Sequence, residues 1–383
     1  MQTRACVLHA QEDVRIETCE VGDMGPQQVL VRIGAGGVCG SDIHYYWEGG
    51  IGTIRVSEPI IMGHEVAGVV EAVGAQVTRV RPGDRIAVCP SRPCGKCKFC
   101  LDGEQQHCLE MQFFGSAMRT PHTHGGFRDR LIAEEYQCEP MGDKVSLGEA
   151  ACTEPLAVGV HAVNQAGNLM GKRVLVTGAG PIGALLIGAV RVAGAGEIVA
   201  MDISQAPLKT ALAMGAHVAI NAALEPDRLL TDYSANKGYF DVVFECTGVG
   251  AVLKQAFPVI RPRGTIVQVG VTGSADIPVN ALVGKEIRLV GTHRFHHEYA
   301  VAARLIREQR IDVKPVITKT LPMEQVAEAL TIARDRSTQM KVQLSFADCQ
   351  GATHPCRPQT VLTQFPGKIN FSGHHTCNSA IKI

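Results

Sequence analysis

The stretch Arg173-Val-Leu-Val-Thr-Gly178-Ala-Gly180-Pro-Ile-Gly183 decides the fold. An apolar β run, Val174 to Val176, stops at Gly178, and an apolar helical run, Ala184-Leu-Leu-Ile-Gly-Ala-Val190, follows. Strand, glycine turn and helix in that order are what a dinucleotide pyrophosphate requires. Gly178 permits the tight turn, Gly180 lets backbone approach phosphate, and Gly183 lets the helix pack close to the strand. Pro181 and Ile182 lie in the same turn and join the cofactor-binding set; the helix N-terminus there offers unpaired N–H groups and partial positive charge. A second apolar run, 197–201, ends in Asp202. This is about 20 residues beyond the last glycine, where an acid binds the adenosine ribose hydroxyls. The competing reading is a tight strand–helix turn with no ligand. After Asp202 no arginine or lysine occurs until Lys209. A 2′-phosphate would lack a cation and be repelled by Asp202, so NAD is expected over NADP.

Working outward, strand candidates fall at 173–177, 197–201, 217–220, 241–245, 264–269 and 286–290, with apolar helices between several of them. Six strands with crossovers predict an α/β fold with a doubly wound parallel sheet. Val269 and Val271 follow the fifth strand at its carboxyl end, where the nicotinamide half belongs. Residues 1–90 differ: short alternating runs separated by Gly25-Pro26, Gly36-Gly37 and Pro82-Gly83-Asp84 predict a loop-rich β domain. Helices at 298–309 and 323–335 and strands near 316 and at 341–345 are expected to rejoin that first domain. Residues 347–383 hold one acid, scattered prolines and no periodicity, and are expected to form a disordered tail.

The composition narrows the classes. The 383 residues carry 37 Lys and Arg against 37 Asp and Glu. A net charge of zero argues against nucleic acid or an acidic membrane as partner. There is no run of 18 uninterrupted apolar residues, and Met1-Gln-Thr-Arg-Ala-Cys-Val has no signal-peptide core, so a cytoplasmic location is expected. Fourteen cysteines in such a chain point to metal ligands rather than disulfides.

Two groups carry that chemistry. Cys39, His64 and Glu65 offer thiolate, imidazole and carboxylate with a fourth position open, the pattern of a catalytic zinc. A buried core cysteine and an unrelated loop histidine are the alternative. Cys94, Cys97, Cys100 and Cys108 form C-x2-C-x2-C-x7-C, which can close a tetrahedron and leave no open position. Lys96 and Lys98 are expected to help keep these thiolates deprotonated. Redox disulfides compete with this reading, and His107 reads as surface. His122 and His124 lack a carboxylate or cysteine partner nearby and read as an exposed loop. The run 113–118 suits either a pocket wall or core. Glu154 begins a helical pattern, where a simple cap would also explain it. Arg294 follows the last sheet strand, as an anion or polyol contact or an ordinary surface arginine.

Several segments together resemble the zinc-dependent medium-chain dehydrogenases of the polyol (sorbitol) dehydrogenase branch, over residues 1–346. They are Cys39-Gly-Ser-Asp-Ile-His-Tyr-Tyr, Gly63-His-Glu, Glu110-Met-Gln-Phe-Phe-Gly-Ser-Ala-Met, Gly125-Gly-Phe and Arg294-Phe295. Within the branch they look most like L-idonate 5-dehydrogenases. The resemblance implies a GroES-like catalytic domain at 1–155, completed by 293–346, and a Rossmann NAD-binding domain at 156–292. It implies two zinc ions per subunit: Cys39, His64 and Glu65 hold the catalytic one and the four clustered cysteines the structural one. Glu154 lies by the catalytic metal or its water. Ser41 and His44 form a proton relay through the cofactor ribose, and Tyr45, Glu154 and Arg294 contact substrate. Phe295 departs from the tyrosine of the sorbitol enzymes. The implied reaction is NAD-dependent oxidation of a sugar acid or polyol, L-idonate to 5-keto-D-gluconate first, by a homo-oligomer, tetramer or dimer. Sorbitol, xylitol and L-threonine are the alternative substrates, and a non-catalytic NAD-binding sensor is the alternative class.

Overall fold

The computed structural model describes residues 1–271 and 273–346. The tail expected at 347–383 lies outside the described residues. Six parallel strands form one sheet in the order Val218–Asn221, Glu197–Asp202, Arg173–Thr177, Phe240–Glu245, Ile260–Gln268, Arg288–Gly291. The order reverses at Arg173–Thr177, which pairs with Glu197–Asp202 on one side and Phe240–Glu245 on the other. That crevice is where ligands bind in open α/β sheets.

The strands are apolar on both faces because both are covered. Successive side chains point to opposite faces. Val174 and Val176 therefore join one core, with Ile198, Ala200 and Phe244, and Leu175 joins the other, with Val199, Val243 and Ile266. The helix Pro181–Val192 buries every residue from Gly183 to Val190. The fifth strand starts earlier than expected, at Ile260. It pairs with Phe240 there and resumes regular pairing at Thr265 after a register shift. Arg263, at φ +60, bends the chain between. Pro262 and Gly264 hide this start from a periodicity reading.

Seven of the other described strands make a second sheet built around Gln28–Gly37, which pairs with Glu65–Val73, Arg130–Glu134 and Lys341–Ser345, and the rest form small sheets of two or three strands. Lys341–Ser345 runs antiparallel to Gln28–Gly37 with Gln343 opposite Gly37, and Ile317–Pro322 pairs beyond it. The end of the described chain thus lies beside its beginning. Within this β-rich part the stretch Gly40–Glu48 is a nine-residue helix. Among the described residues no helix is long and apolar enough to cross a membrane.

Candidate active site

Cys39, His64 and Glu65 face one another, their ligand atoms all within 4.8 Å. Cys39 caps the helix Gly40–Glu48, and Glu65 opens the strand Glu65–Val73. Asp42 fixes the spacing between these segments. It is fully buried, and its two oxygens accept from Cys39 N at 2.9 Å and Gly63 N at 3.3 Å. Glu65 Oε1 accepts from Lys341 Nζ at 2.7 Å, and Lys341 also donates to the Val38 carbonyl at 3.1 Å. Glu65 Oε2 is buried with no hydrogen-bond partner. Gly37 makes room for it: a Cβ there would lie 2.1 Å from that oxygen. Burial and the Glu65 carboxylate push the Cys39 thiol up to about 11, opposed by Lys341. An orphaned carboxylate oxygen, a thiol and an imidazole turned to one point fit a zinc ion, which would satisfy the oxygen and favour the thiolate.

Glu154 is not a simple cap. It is buried, and desolvation raises its carboxyl to about 8, His64 opposing and Glu65 and Cys39 adding to the rise. A buried acid beside three donor groups belongs to the site.

The four clustered cysteines also have their sulfurs within 4.8 Å of one another. Backbone amides, not the lysine charges, favour the thiolates of Cys94 and Cys97, whereas burial and the neighbouring thiols push Cys100 up to about 12. The amides of Leu109 and Cys100 bring Cys97 down to about 6, and Cys94 is lowered chiefly by the Lys96 amide. Cys94 N and Glu110 N also donate to Cys108 Sγ, at 3.2 and 3.3 Å. Four sulfurs wrapped in N–H donors fit a closed structural zinc.

Ser41 and His44, three apart, share a face of the helix Gly40–Glu48. His44 Nδ1 lies 2.9 Å from Glu48 Oε1, one turn on. Tyr45 is buried, and its hydroxyl accepts from Ala117 N at 3.1 Å. Arg294 lies over the Phe113 ring at 4.1 Å, and Phe113 lies 5.5 Å from the His64 ring on a tilted contact. Burial lowers the Arg294 guanidinium, and the nearby Glu154 and Tyr45 oppose that shift. Phe295 turns away into the core against Tyr299 at 5.5 Å. His122 is not on an exposed loop, whereas His124 is exposed, as expected. His122 is buried, accepting from Ser57 N at 3.0 Å and donating to the Arg119 carbonyl at 2.7 Å, while His124 accepts from Ile61 N at 3.2 Å. They tie the loop to 57–61.

At the carboxyl ends of the parallel strands Gly178 has φ +84, and a Cβ on Gly183 would sit 1.9 Å from the Gly178 carbonyl, so the turn and the close helix both need glycine. A Cβ on Gly180 would meet open space, and Gly180 caps the helix that Pro181 and Ile182 begin. Asp202 accepts from Ala179 N at 2.8 Å and Ser204 N at 2.9 Å, so its carboxylate is anchored against the glycine turn. Val269 donates its amide to the Glu245 carbonyl at 2.8 Å, and Val271 is 90% exposed beyond the same strand ends. The fully buried Glu245 accepts from Thr247 N at 2.7 Å, Gly248 N at 3.0 Å and Gln268 Nε2 at 2.6 Å, fixing the loops beside Gly178. An open glycine cradle at a helix N-terminus, flanked by an anchored acid, fits NAD. Lys341 and Glu245 lie in no motif the sequence offers, and Asp42, within the Cys39–Tyr46 segment, has no role assigned to it by sequence.

Residues 25–143 match the alcohol dehydrogenase GroES-like domain, and residues 181–308 match the zinc-binding dehydrogenase family. The chain is 40% identical over 347 residues to L-idonate 5-dehydrogenase (NAD(P)(+)) of Escherichia coli K12, covering 90% of this chain and 99% of that one. It is 34% identical to sorbitol dehydrogenase of Gallus gallus, covering 90% and 96%. The crystal structure of the Escherichia coli L-idonate 5-dehydrogenase superposes with a TM-score of 0.85 over 90% of this chain and 99% of its own. With the zinc-binding donor sets and the glycine cradle already in place, these likenesses make the chain a member of the zinc-dependent medium-chain dehydrogenases, an NAD-linked oxidoreductase of their polyol dehydrogenase branch.

Proposed function

We propose that this enzyme oxidises a secondary alcohol of a sugar acid, L-idonate to 5-keto-D-gluconate, with reduction of NAD and release of one proton. The observation that carries the reading is the Phe113 ring, with His64 beside it and the Arg294 guanidinium over it at 4.1 Å. A fixed cation stands one ring away from the metal-binding donors. A substrate with its reacting hydroxyl at the donors and a carboxylate or hydroxyl chain toward Arg294 suits that spacing. The likeness to L-idonate 5-dehydrogenase supports it.

When held by Cys39, His64 and Glu65, zinc supplies Lewis acidity that brings an alcohol's pKa toward neutrality, and NAD supplies the hydride acceptor. In this reading Ser41 Oγ takes the hydroxyl proton and His44, one turn along the helix, delivers it to solvent. Glu48 holds Nδ1, which leaves Nε2 for exchange. Glu154, buried beside these donors, holds a substrate hydroxyl or water. Tyr45 closes the wall beside it, and Gly178, Gly180, Gly183, Asp202, Val269 and Val271 receive the cofactor. Asp202 favours NAD over NADP.

The test is NADH or NADPH formation by zinc-loaded enzyme and its Arg294→Ala variant. The substrates are L-idonate, D-gluconate, sorbitol, xylitol and L-threonine, each with both cofactors. The highest kcat/KM is expected for L-idonate with NAD, and a raised KM for Arg294→Ala. A preference for a neutral polyol would move the substrate to the sorbitol side. No turnover on any would favour the sensor.

The division into 1–155 with 293–346 and 156–292 belongs to the same proposal, and the pairing of Lys341–Ser345 with Gln28–Gly37 supports it. A homo-oligomer, tetramer or dimer, is supported by the sheet-edge strand Arg288–Gly291 and the exposed Val279 and Val283 near it. A cytoplasmic location belongs to the same proposal.

A further inference from the structure

We infer that the four-cysteine lobe positions the substrate-facing arginine, with His107 and Phe113 as its positioning residues. The inference rests on the reading of Arg294 as a substrate contact. Arg294 adopts φ +52, a left-handed backbone that an arginine keeps only where its surroundings hold it.

Three consecutive residues are held. On the far side Phe295 is fully buried against Tyr299. On the near side the His293 ring stacks on His107, centroids 5.8 Å apart and planes 19° apart. Between them the Arg294 side chain lies over Phe113, and its Nη2 donates to Met118 Sδ at 3.0 Å. His107 ends the short turn Gln105–His107 directly before the ligand Cys108. Phe113 packs in one small apolar cluster with Cys100, Cys108 and Met111. Two of the three residues around the left-handed backbone are therefore fastened to the lobe and one to the core. The lobe forms a wall of the substrate side, beyond its part as a metal-stapled excursion.

The test uses the zinc-loaded full-length enzyme with L-idonate and NAD. His107→Ala is expected to raise KM for L-idonate about 3- to 10-fold, the effect of one lost ring contact. The kcat, the KM for NAD and the zinc content should stay within about two-fold. His107→Phe, which keeps a ring to stack, should restore KM. His293→Ala should match His107→Ala, and the double variant should add nothing, since both break one contact. Two results overturn the inference: KM unchanged in His107→Ala and His293→Ala while Arg294→Ala raises it, or a KM for NAD that rises in parallel, which would mean general loosening. If Arg294→Ala itself leaves KM unchanged, the reading of Arg294 fails and carries this inference with it.

Discussion

Replacing Lys341 by methionine removes one charge from a pair that has little water. The ion pair with Glu65 is 2.7 Å long, and the two side chains are 4% and 1% exposed. At an effective dielectric constant of about 20 the attraction is about 6 kcal/mol. Measured costs of breaking such a buried pair, which leaves one charge uncompensated, are about 3–5 kcal/mol. For a chain of this size that corresponds to a fall of roughly 4–7 °C in the unfolding midpoint. The fall should be larger in metal-free protein, where Glu65 Oε2 already lacks a partner. With zinc loaded, Glu65 has a second cation and the loss should shrink. The double variant Lys341→Met with Glu65→Gln should recover part of the metal-free loss, because no lone charge remains. Thermal unfolding of chelated and zinc-loaded samples measures all of this. A loss below about 1 kcal/mol, or an equal loss with and without zinc, would refute the claim that Lys341 compensates Glu65.

Two further outcomes follow from single groups. In metal-free protein burial lifts the Glu154 carboxyl from its ordinary 4.5 to about 8, so it is protonated when folded and ionised when unfolded across that span. Its contribution is full below pH 4.5 and is lost as pH rises to 8, on the order of 5 kcal/mol. Urea titrations at pH 5 and pH 8 should show that slope, and Glu154→Gln should flatten it; an identical slope in the variant would remove Glu154 as the cause. Asp202→Ser should raise the ratio of kcat/KM for NADP over NAD by about 100-fold, since the variant no longer repels a 2′-phosphate. A ratio unmoved in steady-state assays would show that cofactor choice lies elsewhere.

The nucleotide half was legible because its requirements are local. Gly178, Gly180 and Gly183 lie within one turn, and Asp202 ends the neighbouring strand. The cysteine lobe was legible for the same reason, its four sulfurs coming from a single short excursion. What escaped was whatever depends on distant segments meeting. Lys341 and Glu65 are 276 positions apart. Asp42 and Gly63, whose N–H it accepts, are 21 positions apart. The histidine at 122 misled because its partners, Ser57 N and the Arg119 carbonyl, are backbone groups that no motif displays. The lysines beside the cysteines misled in the opposite way: their charge is visible in sequence, whereas the amides that favour the thiolates are not.

The strand Lys341–Ser345 joins these observations. Its side chains alternate, so Lys341 and Gln343 share one face while Val342 and Leu344 enter the apolar core on the other. On the polar face Lys341 holds Glu65, and Gln343 Nε2 donates to the Gly148 carbonyl at 2.8 Å. Gly148 lies in the helix Leu147–Ala151, which leads directly into the helix carrying Glu154. This strand, the last of the described ones, therefore holds Glu65 directly and touches the helix that precedes Glu154. A register slip of one residue would turn Lys341 and Gln343 into the core and Val342 toward Glu65, which the burial of Val342 and Leu344 forbids. The strand Lys341–Ser345, paired with Gln28–Gly37, thus also carries the partner of Glu65.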